Sequence, residues 1–240
     1  MLRSRQASSA DGVFDGSADV HGSGRELHFG PRTVIFLQGD EARSIFQVID
    51  GAVMLYRLLP DGRRQLVELL TANGLFGWAP LRYRDCAAET LLATRCLELD
   101  RDLVDRSPAL AQRLGAQLVA QLCALHEHVT LLGRKSAPER VASFLMRYIP
   151  DRGHEGCPGP RDGDDCAHFR LTLLRQEIAD YLGLTIETVS RLLTSLKRRG
   201  VVRMDGLEEM VVDDVCRLCR LTGTHLNLGQ WCSAHTDEAR

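Results

Sequence analysis

Residues 175–199 have the sequence Arg-Gln-Glu-Ile-Ala-Asp-Tyr-Leu-Gly-Leu-Thr-Ile-Glu-Thr-Val-Ser-Arg-Leu-Leu-Thr-Ser-Leu-Lys-Arg-Arg, which predicts two short helices separated by a tight turn. Gly183 is expected to end the first helix, because glycine adopts the left-handed conformation needed there without strain. Thr185 is placed to cap the second helix, and Glu187 lies in its first turn, where a carboxylate interacts favourably with the helix dipole. The first helix is expected to bury Ile178, Ala179 and Leu182.

The second helix of this pair has two contrasting faces. Apolar residues at helical spacing predict its buried stripe: Val189, Leu192, Leu193 and Leu196. The opposite face carries one acid, basic residues and several hydroxyls: Glu187, Thr188, Ser190, Arg191, Thr194 and Arg198. Such a face suits a helix that reads base edges in a DNA groove. The alternative is an ordinary amphipathic helical hairpin whose basic face is solvated.

The segment after the second helix predicts a β-wing. Gly200 is expected to end the helix, and Asp205-Gly206 then separates the apolar runs 201–204 and 207–212. An Asp-Gly dipeptide between two apolar runs is a strong hairpin signal. Between residues 175 and 203, six basic and three acidic side chains give a net charge of +3, whereas the whole chain carries −2. This concentration of positive charge favours binding to phosphates.

Length and composition are those of a globular protein with two modest domains. The chain has 240 residues, of which 26% are charged and 44% are apolar. No apolar run approaches the roughly 20 residues of a membrane span, and residues 1–25 lack the apolar core of a secretory signal. We therefore expect a cytoplasmic protein with no membrane partner, and a flexible arm at residues 1–25. Eight cysteines without a secretory signal indicate free thiols in a reducing compartment.

Residues 26–105 predict a β-rich domain. Glycines recur every 11 or 12 residues: Gly39, Gly51, Gly62 and Gly74. Strand-like runs lie between them: residues 33–37, 44–49, 52–59 and 65–70. Short strands at this spacing, each closed by a turn residue, are typical of a sandwich or jelly roll. The expected fold class is therefore α+β, with an N-terminal β-roll, a long helix and a C-terminal winged helix-turn-helix.

Residues 106–135 predict one long helix that pairs with a second copy of the chain. Leu118, Leu125 and Leu132 repeat every seven residues, which is the spacing of a helix-to-helix seam. The predicted dimer contacts are therefore Leu114, Leu118, Gln121, Leu125, His128 and Leu132. The alternative is that this face packs against the β-roll of its own chain. Gly133 is expected to end the helix.

Residues 136–221 are expected to form the DNA-binding domain. Ser136 can cap a helix whose first turn contains Pro138, with Glu139 at the capping-box position. A segment rich in Gly, Pro and Asp predicts a linker at residues 150–168. Residues 222–240 remain as a C-terminal tail.

The order of these parts and two sequence blocks resemble the CRP/FNR superfamily of bacterial transcription regulators, and its FixK branch in particular. The blocks are residues 131–145, Leu-Leu-Gly-Arg-Lys-Ser-Ala-Pro-Glu-Arg-Val-Ala-Ser-Phe-Leu, and residues 176–191. The resemblance covers roughly residues 26–221. It implies a β-roll like that of cyclic-nucleotide-binding domains, a homodimer that binds palindromic double-stranded DNA, and contact with RNA polymerase. It also implies an activator of genes used at low oxygen or in nitrogen fixation and denitrification.

In the FNR and FixK branches, the residues that read bases follow the pattern Glu-x-x-Ser-Arg. The resemblance thus assigns base reading to Glu187, Ser190 and Arg191 and implies TTGAT-N4-ATCAA-like sites. The CRP branch has an arginine before that glutamate, where this chain has Ile186. The chemistry agrees, because an arginine can bind guanine bidentately and a carboxylate can accept from cytosine. A purely structural ion pair between Glu187 and Arg191 is the competing interpretation.

Further side chains of the same surface are expected to contact DNA without all reading its sequence. Phosphate contacts position a protein on the duplex, and apolar groups can touch a thymine methyl. The additional contact candidates are Arg175, Gln176, Thr185, Ile186, Thr188, Thr194, Lys197 and Arg198.

Members of the resembling branches bind a cyclic nucleotide or a [4Fe-4S] cluster, and the residues of this chain support neither cofactor. Cyclic nucleotide binding in the CRP branch needs a Gly-Glu turn followed by an Arg-Ser pair. Here Gly77 precedes Trp78, and no serine follows Arg82 or Arg84. An FNR-type [4Fe-4S] cluster needs three N-terminal cysteines, yet residues 1–85 contain none. No cofactor is therefore expected.

The remaining cysteines leave a second function open. His154-x2-Cys157 and Cys166-x-His168 flank the linker, and Cys216-x2-Cys219 follows the wing. Cysteine and histidine bind zinc, and Cys-x-x-Cys pairs can be redox active. A thiol- or metal-dependent redox sensor using Cys157, Cys166, Cys216 and Cys219 is thus the alternative to a DNA-binding regulator, although incidental linker thiols would show the same pattern. Nucleophile and base are not arranged as an enzyme requires, so no enzyme is expected.

Overall fold

The computed structural model describes residues 24–79, 82–150, 152–153, 157, 159, 165–205 and 208–223. The predicted N-terminal arm, nearly all of the C-terminal tail and most of the predicted linker lie outside these residues. The chain forms two compact units, which divide between His128 and Val129.

The N-terminal unit contains two four-stranded antiparallel sheets. Its strands are β1 (Arg25–Phe29), β2 (Val34–Phe36), β3 (Ser44–Asp50), β4 (Val53–Leu58), β5 (Arg64–Leu70), β6 (Leu75–Phe76), β7 (Ala87–Thr90) and β8 (Thr94–Asp100). One sheet has the order β1-β8-β3-β6 and the other the order β2-β7-β4-β5. Each of the four strand-like runs in the sequence contains a strand, which confirms the predicted β-roll.

Three of the four predicted turn glycines, Gly39, Gly51 and Gly62, have positive φ angles that favour glycine. Gly62 has φ +84° in the β4–β5 hairpin, where the Leu59 N–H donates to the Arg63 carbonyl at 2.8 Å. Gly51 has φ +96°, and a Cβ there would lie 2.5 Å from the Thr94 hydroxyl oxygen. A side chain at position 51 would therefore be both strained and sterically blocked.

Three aromatic rings fill one part of the β-roll core. Phe46 and Phe76 are stacked with ring centroids 5.2 Å apart, and Phe36 lies 5.8 Å from Phe46. Arg84 is 6% exposed, and its guanidinium carbon lies 4.3 Å from the Phe36 ring centre. The same guanidinium donates to the Ser44 carbonyl at 2.7 Å and also to the Gly77 carbonyl. The interior of the β-roll thus contains the Arg84 cation, which stacks on an aromatic ring and donates hydrogen bonds to two main-chain carbonyls.

The helices and the second sheet follow the β-roll in the chain. The helices are α1 (Arg101–Arg106), α2 (Pro108–Arg134), α3 (Ala137–Met146), α4 (Arg175–Leu182), α5 (Ile186–Arg198) and α6 (Val215–Arg220). Strands β9 (Ala167–Arg170), β10 (Val202–Asp205) and β11 (Glu209–Val212) form an antiparallel sheet with the order β10-β11-β9. Among the described helices, none combines the length and apolar character needed to cross a membrane.

The capping prediction for α3 is confirmed. The Ser136 N–H donates to Glu139 Oε2 at 2.7 Å, and Pro138 lies in the first turn. The preceding helix differs slightly from expectation, because α2 continues through Gly133 and ends at Arg134. Inside the helix, Gly133 has helical neighbours on both sides and does not act as the stop.

The structure contradicts the predicted dimer face of α2 at three positions. Leu114 is 2% exposed in a cluster with Ile45 and Leu75, and Leu118 packs against that cluster. Gln121 accepts from the Leu75 N–H at 2.9 Å and donates to the Leu75 carbonyl at 2.8 Å. These side chains are therefore occupied by their own β-roll, as the alternative interpretation held.

The other predicted seam residues are also covered at least in part. His128 is buried, and Leu125 and Leu132 are half-buried. The apolar side chains that α2 leaves exposed lie on a different face, with Val119 62% exposed and Leu122 51% exposed. At Leu114, Leu118 and Gln121 the sevenfold spacing identified side chains that pack on the β-roll of the same chain, whereas dimer contact by Leu125, His128 and Leu132 stays a prediction.

Candidate DNA-binding interface

Helix α4 and its turn have the predicted local structure. Ile178, Ala179 and Leu182 are each 0% exposed, and Gly183 has φ +61°. At the other end of α4, the Leu174 N–H donates to Glu177 Oε2 at 2.8 Å. The start of this short helix is therefore capped by a side chain and its end by a left-handed glycine, and these two features fix where α5 begins.

Helix α5 begins with the predicted cap. The Thr188 N–H donates to the Thr185 hydroxyl oxygen at 3.3 Å. The pKa of the exposed Glu187 carboxyl is lowered by its own backbone N–H and by the Thr185 hydroxyl. Glu187 is therefore ionised at neutral pH and acts as a hydrogen-bond acceptor at the start of the helix.

The two faces of α5 are divided as expected. Val189, Leu193 and Leu196 are buried, while Leu192 is half-buried and not fully buried as predicted. The residues with exposed side chains are Ile186, Glu187, Ser190, Arg191, Thr194, Lys197 and Arg198.

The competing ion-pair interpretation finds no support. Among the described residues, Glu187 and Arg191 form no ion pair, and Arg191 forms no side-chain hydrogen bond. The Arg191 guanidinium is thus available to an external partner.

A surface depression of about 230 Å³ lies beside the exposed face of α5. Its lining residues are Arg175, Ser190, Leu193, Thr194, Lys197, Val202, Arg203, Met204 and Met210. Arg175 Nη1 is buried there without a hydrogen-bond partner among the described atoms, and burial lowers the pKa of this guanidinium. An anion entering the depression would supply the missing acceptor, because a guanidinium has five donors and suits a phosphate.

Burial of two acids makes the exposed surface more basic than the sequence count indicates. Glu177 is 3% exposed and Asp180 is 9% exposed. Asp180 accepts from the Gln176 amide at 2.7 Å, so the predicted DNA contact Gln176 is already engaged with its own helix. Of the three acids between residues 175 and 203, only Glu187 is exposed.

The predicted wing is present as strands β10 and β11. Val202 pairs with Val212 and Asp205 with Glu209, so the chain reverses between residues 205 and 209. Gly206, the predicted turn residue, lies outside the described residues. Arg203 on β10 also lines the depression, and its guanidinium pairs with Asp213 at 2.8 Å. The sequence analysis counted Arg203 as basic but did not place it at the site, since Arg175 and Arg203 are adjacent only after the wing folds back.

The buried surroundings of Cys216 argue against a redox role for this thiol. Cys216 is 8% exposed, and its Sγ accepts from Arg152 Nη2 at 3.1 Å. Asp165 pairs with Arg152 at 2.6 Å and accepts from the Cys216 N–H at 2.9 Å. Burial and the Asp165 carboxylate raise the pKa of the Cys216 thiol to about 12. The reactive thiolate is therefore disfavoured at neutral pH.

The other candidate thiols are more accessible. Cys157 and Cys219 are half-buried, and Cys166 Sγ lies 3.7 Å from His168 Nε2. His154 lies outside the described residues. No group of three or more metal-binding side chains occurs in the part of the chain that the structure describes. A redox role for Cys157, Cys166 and Cys219 stays a prediction.

We expect Cys96 and Cys216 to resist alkylation in the folded protein. Burial raises the pKa of both thiols to about 12, so each has little thiolate at pH 7.5. Iodoacetamide labelling followed by peptide mass spectrometry should leave both unmodified without denaturant and label both in 6 M guanidinium. Rapid labelling of Cys216 in the folded chain would contradict the conclusion that this thiol is unreactive.

Comparisons with known proteins agree with this two-part architecture. A family model for the Crp-like helix-turn-helix domain matches residues 139–221, and one for the cyclic nucleotide-binding domain matches residues 26–106. The nitrogen fixation regulation protein FixK of Bradyrhizobium diazoefficiens is 34% identical over 183 residues, which is 75% of this chain and 74% of the relative. The transcriptional activator protein FnrL of Cereibacter sphaeroides is 36% identical over 197 residues, covering 80% and 77% of the two chains.

A solved structure extends the similarity to the whole fold. The structure of FixK2 from Bradyrhizobium japonicum has a TM-score of 0.69 to this chain at 32% identity. The match covers 82% of this chain and 96% of that one.

Proposed function

Because this chain belongs to the CRP/FNR superfamily of transcription regulators, in its FixK-like branch, we propose that it is a homodimeric activator that binds TTGAT-N4-ATCAA-like palindromes. The genes it controls would serve nitrogen fixation or growth at low oxygen, as the names of its relatives suggest, or denitrification, as the resemblance to the FixK branch implies. RNA polymerase would be its protein partner, and the bacterial cytoplasm its place of action.

The observation that carries this proposal is the exposed face of α5. Glu187, Ser190 and Arg191 are all exposed near the start of this helix. Ionised Glu187 can accept from cytosine N4, and Arg191 can donate both arms of its fork to guanine O6 and N7. The Ser190 hydroxyl can donate or accept. These three side chains are proposed to read the bases of each half-site.

The basic depression is proposed to hold the DNA backbone beside that helix. Arg175 presents a buried and unsatisfied Nη1, Lys197 adds positive charge beside it, and Arg203, which pairs with Asp213, also lines the depression. The Thr194 hydroxyl already donates to the Ser190 carbonyl at 2.8 Å, so it offers an acceptor and not a donor to DNA. Contacts of this kind fix the position of the duplex and carry no base information themselves.

The exposed stripe of α2 is proposed to bind a second copy of the chain. Val119, Leu122 and Val129 are each more than half exposed, and Val129 follows Leu122 by seven residues. Cys123 and His126 are exposed on the same helix. Only three charged residues occur among the 27 of α2. Exposed apolar side chains on a nearly uncharged helix favour burial against another helix. This stripe replaces the face that the sequence predicted.

The residues of the β-roll do not fit a cyclic nucleotide. The Arg84 guanidinium is stacked on Phe36, and its Nη1 and Nη2 already donate to the carbonyls of Gly77 and Ser44, which engages the two arms that would bind a cyclic phosphate. Trp78 follows Gly77 where the CRP branch has its glutamate.

They do not fit an FNR-type [4Fe-4S] cluster either. Cys96 is 0% exposed and burial raises its thiol pKa to about 12, as it does for half-buried Cys86. Iron–sulfur clusters are held by several thiolates, and the N-terminal 85 residues contain no cysteine. The proposed DNA binding therefore includes neither group.

The central test is fluorescence anisotropy with a TTGAT-N4-ATCAA duplex and aerobically purified, thiol-reduced protein. We expect selective binding over a scrambled duplex of the same composition. Equal affinity for both duplexes would contradict the assigned half-site. Size measurement by sedimentation in the same buffer would test the dimer independently of DNA.

Replacing Lys197 with alanine should weaken binding to all duplexes alike. Lys197 is exposed beside the depression, where it can neutralise a phosphate without touching bases. The slope of log affinity against log salt should become shallower by about 0.9 for each phosphate contact removed. Affinities measured across a salt series on specific and scrambled duplexes would check this. An unchanged slope would mean that Lys197 does not contact a phosphate.

A further inference from the structure

Arg140 on α3 connects three separate segments of the C-terminal unit. Its Nη2 donates to the Leu132 carbonyl at 2.6 Å, its Nε to the Lys135 carbonyl at 2.9 Å, and its Nη1 to the Leu182 carbonyl at 2.9 Å. Leu132 lies in the last turn of α2, Lys135 in the link to α3, and Leu182 at the end of α4. All three acceptors are main-chain oxygens, so the contact does not depend on which side chains these positions carry.

Two of these carbonyls lie at helix ends, where acceptors are in surplus. The last four carbonyls of a helix have no partner within it, and they carry the negative end of the helix dipole. Leu132 is within the last four residues of α2, and Leu182 is the last residue of α4. One guanidinium therefore caps two helices at once. Arginine can do this because its donors point outward from a planar, permanently charged group.

The turn between α4 and α5 lies close to the half-buried Arg140 guanidinium. Leu182 is fully buried, and the link between α4 and α5 passes close by at Gly183. A Cβ built on Gly183 would lie 3.5 Å from Arg140 Nη1 and 3.5 Å from Leu132 Cδ2. The turn of the helix-turn-helix thus lies directly against Arg140 and the last turn of α2.

We propose that Arg140 is a positioning residue that sets the direction of the recognition helix α5 relative to the end of α2. The inference rests on the proposed homodimer and its palindromic site. In such a dimer, both recognition helices must meet their half-sites at once, and linked binding gains affinity only if the geometry permits simultaneous engagement. Arg140 touches no DNA in this scheme. It acts by keeping the turn against α2, so its loss should affect the palindrome more than a single half-site.

The test compares Arg140→Gln and Arg140→Lys with a matched control, Arg147→Gln. Arg147 also lies at α3 and donates to the Tyr181 hydroxyl on α4, but it makes no hydrogen bond to α2 among the described residues. Each full-length variant is measured by anisotropy on the palindrome, on a duplex with one half-site and on a scrambled duplex. Sedimentation and thermal unfolding report dimerisation and stability.

For Arg140→Gln we expect the ratio of palindrome to half-site affinity to fall about 10- to 100-fold, because the variant loses part of a linked-binding gain of roughly 10²- to 10⁴-fold. Half-site and scrambled affinities should change less than about threefold, and the protein should remain dimeric. Arg140→Lys should lower the ratio of palindrome to half-site affinity as well. An ammonium keeps the charge but lacks the planar fork that reaches both helix ends. Arg147→Gln should keep this ratio.

Each other outcome has a definite meaning. An unchanged ratio in Arg140→Gln would overturn the proposal. A parallel loss on all three duplexes together with lower thermal stability would show a merely structural role and would also overturn it. If Arg140→Gln does not fold, Arg140→Lys decides by the same ratio. If the unmodified protein itself shows no preference for the palindrome, the proposed function fails and not the role of Arg140.

Discussion

Replacing Arg191 with alanine should abolish most of the sequence preference in DNA binding while leaving the fold intact. Arg191 is exposed and forms no ion pair among the described residues, so its removal costs little stability. A base-reading arginine contributes about 1–3 kcal/mol of discrimination per half-site. Two half-sites in a dimer would lose roughly twice that, if the contributions add. Anisotropy on the palindrome and on a scrambled duplex should therefore give nearly equal affinities.

Two control variants separate base reading from simple charge. Arg191→Lys keeps the cation but cannot form the bidentate pair with guanine, so most of the preference should still be lost. Arg199→Ala removes an exposed arginine at the end of the same helix and should weaken both duplexes alike. Full selectivity in Arg191→Ala would refute the assignment of this residue to base reading.

Replacing Leu122 with glutamate should convert the proposed dimer to a monomer. Leu122 is 51% exposed on the stripe of α2, so the change leaves the core of its own unit intact. In a dimer, however, two carboxylates would be buried at the seam, which costs several kcal/mol when they are unpaired. Sedimentation at about 10 μM should show a monomer, and palindrome affinity should fall by about 100-fold or more because linked binding is lost.

Ala120→Glu is the matched control for this experiment. Ala120 is also exposed on α2 but lies on the side away from Leu122, and leucine, alanine and glutamate are all good helix formers. This variant should remain dimeric with unchanged DNA affinity. If both variants dissociate, the stripe is not the specific contact; if neither does, the dimer is held elsewhere.

The helix-turn-helix could be predicted from sequence because its determinants are local. Gly183, Thr185 and the apolar spacing of α5 act within a few residues of each other, and the structure has them as expected except that Leu192 is only half-buried. The β-roll was predicted for the same reason, from turn glycines and apolar runs. Strand β1 was not singled out, because its residues, Arg25–Phe29, are mostly exposed and form no apolar run.

What the sequence could not reveal depends on contacts between distant residues. Arg140 and Leu182 are 42 positions apart, and nothing in the spacing shows that one guanidinium reaches that carbonyl. The same limit explains the error on α2. Both Leu118 and Leu122 belong to apolar stripes of one helix, and periodicity does not say which stripe meets the β-roll and which remains exposed.

The interior of the β-roll has a consequence for how such a protein would be controlled. Arg84 stacks on Phe36 and donates to two carbonyls, so the chain's own cation fills part of the β-roll interior. If the proposed regulator binds DNA without a ligand in its β-roll, its activity follows the amount of protein and not the concentration of a ligand. Because the proposed homodimer needs two chains for each palindrome, we expect promoter output to rise more steeply than linearly with the amount of protein, so that synthesis and degradation set the threshold.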